Sequence, residues 1–236
     1  MKLGNKIKKN NPHWSFAGNV PDNFVDHITQ SVPFYLEGHN LVCNISDFFC
    51  FDNTTSYELG TSTGELLVKL SNHNKNKKNV KWIGIDNEIK MVNKAKKFCK
   101  KNKNITILHK DLIDYKFKNT NFIVSYYTMQ FIQESVRQNI INKIYNSLNW
   151  GGAFVLFEKV RSPDARFQDI STLMYNDFKE KNGFKPDEIL NKSKSLKGVL
   201  RPFSTKGNLE MLERAGFKDI QTVMKYICFE GFLCIK

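Results

Sequence analysis

Short apolar runs alternate with amphipathic segments along most of this chain. Runs at 55–59, 80–85, 105–109, 122–127 and 153–158 predict buried strands, the form that parallel sheets take. Between them, Leu66, Leu67 and Leu70 recur at helical spacing. Met91, Ala95 and Phe98 do so in a helix predicted from about Glu88 to Lys101, as do Ile140, Ile141, Ile144, Tyr145 and Leu148 over 135–148. Gly151 and Gly152 are expected to stop that last helix. Two helices precede the first strand. One carries Phe24, Val25 and Ile28 with Pro21 in its first turn. The other carries Leu41, Val42, Ile45, Phe48 and Phe49.

From Val160 to Phe203 the pattern changes to two polar helices flanking Lys181-Asn-Gly183. Ser204 is placed to cap a further helix that ends at Arg214-Ala-Gly-Phe217. Two final strands, 220–226 and 229–235, are joined tightly enough to be antiparallel. The sum is an α/β fold: a doubly wound, mostly parallel, seven-stranded Rossmann-like sheet with an antiparallel edge strand. Residues 1–12 read as a disordered tail and 13–236 as one domain, with 160–203 as a helical lid insertion.

Lys and Arg number 36 against 23 Asp and Glu, a net charge of +13 over 236 residues. The lysines cluster with asparagines, as in 72–79 and 100–104, and read as solvated surface, so direct nucleic-acid binding is not expected. The five cysteines, Cys43, Cys50, Cys99, Cys228 and Cys234, show no metal-ligand spacing and read as reduced, buried thiols. No apolar run has the length of a membrane span, and no apolar core follows the basic N-terminus. A cytoplasmic protein without membrane contact is the expectation.

Chemistry concentrates at Glu58-Leu-Gly60-Thr61-Ser62-Thr-Gly64, followed by Trp82-Ile-Gly-Ile-Asp86. This is a strand, a glycine turn, a helix, then a second strand closed by an acid, the arrangement that binds adenosine cofactors at strand tips. The spacing is not Gly-x-Gly-x-x-Gly, and a turn with fewer glycines suits a ligand without pyrophosphate. S-adenosylmethionine (SAM), or its demethylated product S-adenosylhomocysteine, is the expected ligand. Glu58 is expected to hold the groups that reach the ligand's amine, and Asp86 the ribose hydroxyls. Asp111 and Leu112 are expected at the adenine. Tyr126, Tyr127 and Gln130 end the fourth strand beside the expected sulfonium, where an aromatic face stabilises a cation. His27 is a candidate general base. Glu158 and Lys159 end the fifth strand near the same cleft.

Several stretches resemble the carboxy-S-adenosyl-L-methionine (carboxy-SAM) synthase family: Ser31-Val-Pro-Phe-Tyr35, Leu59-Gly-Thr-Ser62, Thr128-Met-Gln-Phe131, Leu148-Asn-Trp-Gly-Gly152, Asp177-Phe-Lys179 and Ala215-Gly-Phe217. The resemblance runs from about Trp14 to Lys236. It implies that Tyr35, Gly60, Thr61, Ser62, Asp86, Asn87, Asp111 and Leu112 contact the cofactor, and that the protein is a homodimer. That family turns SAM and prephenate into carboxy-SAM, used later on a tRNA wobble uridine. Four positions depart from its pattern. Gln30 and Ser193 stand where it has arginines, Tyr126 where it has asparagine, and Ala17 where it has aspartate. Arginine grips a carboxylate with two parallel hydrogen bonds and serine cannot. The primary expectation is therefore a divergent SAM-dependent methyltransferase acting on a small molecule, with carboxy-SAM synthesis as the alternative. A non-catalytic scaffold is the third reading. Tyr126, His27 and Tyr35 are the catalytic candidates, and Gln30, Lys194 and Arg201 the substrate-binding ones.

Overall fold

The computed structural model describes residues 3–4 and 20–236, with only the backbone of 20–22. Trp14, Phe16 and Ala17 lie outside the described residues, as does the 1–12 tail apart from Leu3 and Gly4. Leu3 is fully buried beside Met91.

Two helices, α1 (Val20–Ser31) and α2 (Tyr35–Ser46), lead into β1 (Thr55–Leu59) and α3 (Glu65–His73). The chain continues through β2 (Lys81–Asp86), α4 (Ile89–Phe98), β3 (Ile105–His109), β4 (Thr120–Tyr126), α5 (Glu134–Ser147) and β5 (Leu148–Lys159). The insertion folds as α6 (Ala165–Lys181) and α7 (Pro186–Leu196), followed by α8 (Thr205–Ala215), β6 (Asp219–Tyr226) and β7 (Phe229–Ile235). Strand order is β3-β2-β1-β4-β5-β7-β6. The first five strands are mutually parallel, and β7 runs antiparallel to both its neighbours. The antiparallel strand is thus one place in from the edge, with β6 outermost.

Side chains alternate across each strand, so the sheet is buried on both faces. Trp82, Phe122 and Val124 pack under α2 and α3 on one face. Tyr57, Ile85, Ile123 and Phe154 pack with α5 and α8 on the other. Strands are added outward on one side from β1 to β3 and on the other from β4, so the connections leaving the carboxyl ends of the parallel neighbours β1 and β4 part to opposite sides and leave a cleft, the usual ligand position in such sheets.

Three local expectations are corrected. Phe98 is 52% exposed, because a 3-10 turn at Cys99–Lys101 closes α4 and swings Cys99 inward instead. Phe48 is 74% exposed beyond the end of α2, while Phe49 is buried. Gly151 and Gly152 do not end α5. That helix stops at Ser147, Leu148 is already extended, and the glycines lie within β5, bonded to the backbone of Lys236. Ser204 caps α8 as expected, its hydroxyl accepting from the Gly207 amide at 3.1 Å.

Candidate active site

The turn after β1 is held by the acids on either side of it. Asp86 Oδ2 accepts from the Ser62 amide at 2.8 Å, and its Oδ1 accepts from the Glu88 amide at 2.9 Å. Burial pushes the Asp86 carboxyl above its ordinary pKa, and the two amides pull against that. Each oxygen retains a lone pair, as pairing with a vicinal diol requires. Glu58 Oε2 accepts from the Thr61 hydroxyl at 2.6 Å. Burial raises its pKa to about 8, with Glu65 and Asp86 adding to the rise. Gly60 has φ 70°, and a Cβ there would meet the Thr128 side chain at 2.1 Å, so the β1 turn and the β4 tip touch through a residue that only glycine can supply.

These groups line one cavity of about 980 Å³. Tyr35, Glu58, Gly60, Thr61, Ser62, Asp86, Asn87, Asp111, Leu112 and Tyr126 all reach it. Leu112 is buried, while Asp111 is exposed and accepts from the Ile113 amide at 2.8 Å. Tyr35 packs against the touching pair Tyr126 and Tyr127, with ring centroids at 5.3 and 6.4 Å. Burial raises all three phenol pKa values well above the usual range. The cleft fits an adenosyl sulfonium: acceptors for a diol and an amine on one side, aromatic faces for the cation at the end.

Other candidates fall elsewhere. Gly64 packs α3 onto the end of α4, where a Cβ would lie 2.9 Å from Cys99 Sγ, and it is absent from the cavity wall. Gln30 is exposed on α1. Lys194 is exposed on the outer side of α7, because Lys192 and Leu196 occupy the cavity face and a residue two places on lies about 200° round the helix. Arg201 turns outward to Glu134 at 3.1 Å. None of the three expected substrate-binding residues lines the cavity. His27 does, but as an unsuitable base: its Nε2 accepts from Lys192, and burial, then the Lys192 charge, lowers its pKa to about 2.

Gln130 holds backbone at both ends of its amide, donating to the Tyr127 carbonyl at 3.2 Å and accepting from the Lys159 amide at 2.8 Å. Glu158 points away from solvent. It is 1% exposed, and burial raises its pKa to about 8 against the pull of Arg137. Sequence reasoning missed Arg137, which is 1% exposed and donates to the carbonyls of Gln130, Ile132 and Arg201. One exposed-looking arginine on a polar helix gives no sign of that role. It also missed Tyr175 and Lys179, of which only Lys179 fell in a matched stretch, Asp177-Phe-Lys179.

A family model described as methyltransferase domain matches residues 57–152. A solved SAM-dependent methyltransferase from Aquifex aeolicus superposes with a TM-score of 0.60 at 17% identity, covering 91% of this chain and 97% of that one. With the cleft described above, these define a SAM-dependent transferase of the methyltransferase fold. A carboxy-S-adenosyl-L-methionine synthase from Staphylococcus epidermidis is 42% identical over 94% of this chain and 97% of its own. One from Nautilia profundicola is 36% identical over 94% of each. The chain belongs to the carboxy-S-adenosyl-L-methionine synthase family.

Proposed function

We propose that the protein makes carboxy-SAM from SAM and a carboxylic acid co-substrate, prephenate being the one that family resemblance implies. The observation that carries this reading is the division of charge in the cavity. Its acids, Glu58, Glu65, Asp86 and Asp111, all lie at the carboxyl ends of β1 to β3 or in the first turn of α3, where Lys110 is, among the described residues, the one lysine beside them. The wall built from the end of β5 and from α6 and α7 contributes lysines and Arg161 and no acid. A cationic cofactor suits the first half and an anionic partner the second. The volume, at the upper end for a single small ligand, admits both.

When bound, the cofactor supplies a sulfonium methyl whose C–H bonds the adjacent positive sulfur acidifies. The chain's own residues hold the ribose (Asp86), the amine (Glu58) and the adenine (Asp111, Leu112). Tyr35, Tyr126 and Tyr127 face the cation. No side chain need be a strong base, because prephenate would supply carbon dioxide and hydroxide as its ring aromatises, the hydroxide taking the methyl proton as water and the carbon dioxide joining the methyl carbon; positioning two reactants in a dry chamber is what the protein contributes. Mass spectrometry of the protein incubated with SAM and prephenate tests this. Carboxy-SAM is the expected product, and its absence from an enzyme that binds both reactants would defeat the reading.

A second reading, methyl transfer to a small acceptor, is favoured by Ser193, which lines the cavity where the family pattern has arginine. Its signature in the same experiment is SAM or S-adenosylhomocysteine as the only nucleoside recovered. The homodimer is proposed through α6, whose Phe167, Ile170, Leu173 and Met174 are 48–65% exposed along one helix.

A further inference from the structure

Lys159 at the end of β5 and Lys179 on α6 both point their ammoniums at one aromatic ring. Their Nζ atoms lie 4.3 and 4.2 Å from the centroid of Tyr175. Lys179 is only 7% exposed. Neither has a carboxylate partner among the described residues; the one group nearby that favours their charge is the Cys228 thiol. Burial raises that thiol's own pKa, so it is neutral at physiological pH. Lys192 of α7 completes the cluster, donating to His27 and to the Ser31 hydroxyl.

Such a cluster is costly. Each cation is desolvated, and the three repel one another. The ring face of Tyr175 offsets part of this. Among the described residues, the groups facing these lysines are neutral, namely His27 and Ser31 from α1, Tyr175 from α6 and Cys228 from the β6–β7 turn, while Arg161 adds a further positive charge. Lys159 and Lys179, without a carboxylate partner among the described residues, therefore bring positive charge to a cavity wall opposite a cleft suited to a cation, and such a wall calls for an anion from outside.

We propose that Lys159, Lys179 and Lys192 form the carboxylate subsite of the co-substrate, in place of the arginine replaced by Ser193, and that filling it draws protons from solution. The subsite rests on the carboxyl-transfer reading for the identity of its ligand, but not for its chemistry, which is that of a small organic dianion. The proton linkage follows from the empty site. Burial and the neighbouring lysines lower Lys192 to about 7, and burial with Lys159 lowers Lys179 to about 8. Near pH 8 both are therefore partly neutral. An anion placed among them reverses the electrostatic term and recharges them.

Calorimetry on protein saturated with S-adenosylhomocysteine, which has no methyl to react, tests this with prephenate as the probe at pH 8. Titrations in HEPES and in Tris, whose ionisation enthalpies differ and neither of which is a small dianion, are expected to give different heats, corresponding to uptake of about one proton per prephenate. Lys159→Met and Lys179→Met are each expected to weaken prephenate by at least about tenfold, with S-adenosylhomocysteine affinity kept within about twofold. Lys159→Arg should retain most of the binding. Equal heats in the two buffers, or no prephenate binding by the wild type, would overturn the proposal without any variant having to fold. Wild-type prephenate affinity in both methionine variants would overturn it too. Proton-linked prephenate binding without carboxy-SAM formation would uphold the subsite and defeat the reaction alone.

Discussion

The hydroxyl of Tyr126 donates to the backbone carbonyl of Tyr35 at 2.7 Å. It also sits where a Cβ on Gly38 would be, 2.1 Å away, so the tip of β4 is keyed into the first turn of α2. The phenol thus ties Tyr35 in place, and only its ring is left to face a bound cation. Tyr126→Phe should cost about 1 kcal/mol, visible as a fall in Tm of about 2–4 °C. Turnover should stay within a few-fold of wild type. A loss of turnover of a hundredfold or more, with Tm preserved, would assign the hydroxyl to the chemistry instead.

Asp86 holds the β1 turn from beneath through Ser62 and the start of α4 through Glu88. Asp86→Ala removes acceptors for both amides and for the ribose. Affinity for S-adenosylhomocysteine should fall by about 2–3 kcal/mol, roughly 30- to 150-fold by calorimetry, with Asp86→Asn between that and wild type. Unchanged affinity in the alanine variant would remove the sugar from this carboxylate.

Glu58, with a pKa of about 8 in the empty cleft, must be ionised to hold an ammonium. Cofactor affinity should therefore climb as pH rises from 6 towards 8, levelling where the ligand's own α-amine titrates near 8. Binding should release protons over that range, the opposite sign to prephenate. Glu58→Gln should bind more weakly and nearly independently of pH from 6 to 7.5. A pH-independent wild type would sink this assignment.

Lys179 is lowered to about 8 in the folded chain, while an unfolded lysine titrates near 10.4. Between those values the unfolded state binds more protons, so the contribution of this lysine to stability rises with pH across roughly 8 to 10.4. Below 8 the buried charge is retained at full cost. Lys179→Met should then be more stable than wild type in the absence of ligand, by the widest margin near pH 7, with the gap narrowing towards pH 10. Thermal melts of both proteins at several pH values check it. A variant less stable at pH 7 would show that the charge is compensated. Gain in stability with loss of binding is the pattern expected of a site strained for function.

The exposed face of α6 supplies the dimer test. Leu173, 65% exposed, mutated to Glu should shift the protein to monomer in sedimentation while leaving cofactor affinity intact. A wild-type monomer at micromolar concentration would remove the proposal.

The strands and the cofactor turn were legible because both are local. A buried parallel strand must be apolar over its whole length. A turn that brings backbone to a ligand needs glycine at set offsets, and Asp86 follows at the end of the next strand. Where local sequence left a choice, it misled. Phe98 and Cys99 are equally placed to close the inner face of α4, and a 3-10 turn decided for Cys99. Lys194 and Arg201 looked like the cations nearest the missing arginine, yet helix phase turns the first outward and Glu134 holds the second.

The sequence by itself determined the alternation of strands and helices, the cofactor turn and its acid, because spacing of two and of three to four residues encodes them directly. Only the tertiary structure decided what faces the cofactor. Lys159, Lys179 and Lys192 come from a strand and two helices, Tyr175 lies between the first two, and no spacing along the chain announces that they meet. Their convergence depends on how α6 and α7 pack across the carboxyl end of the sheet, and the charge it concentrates there is a property of the fold.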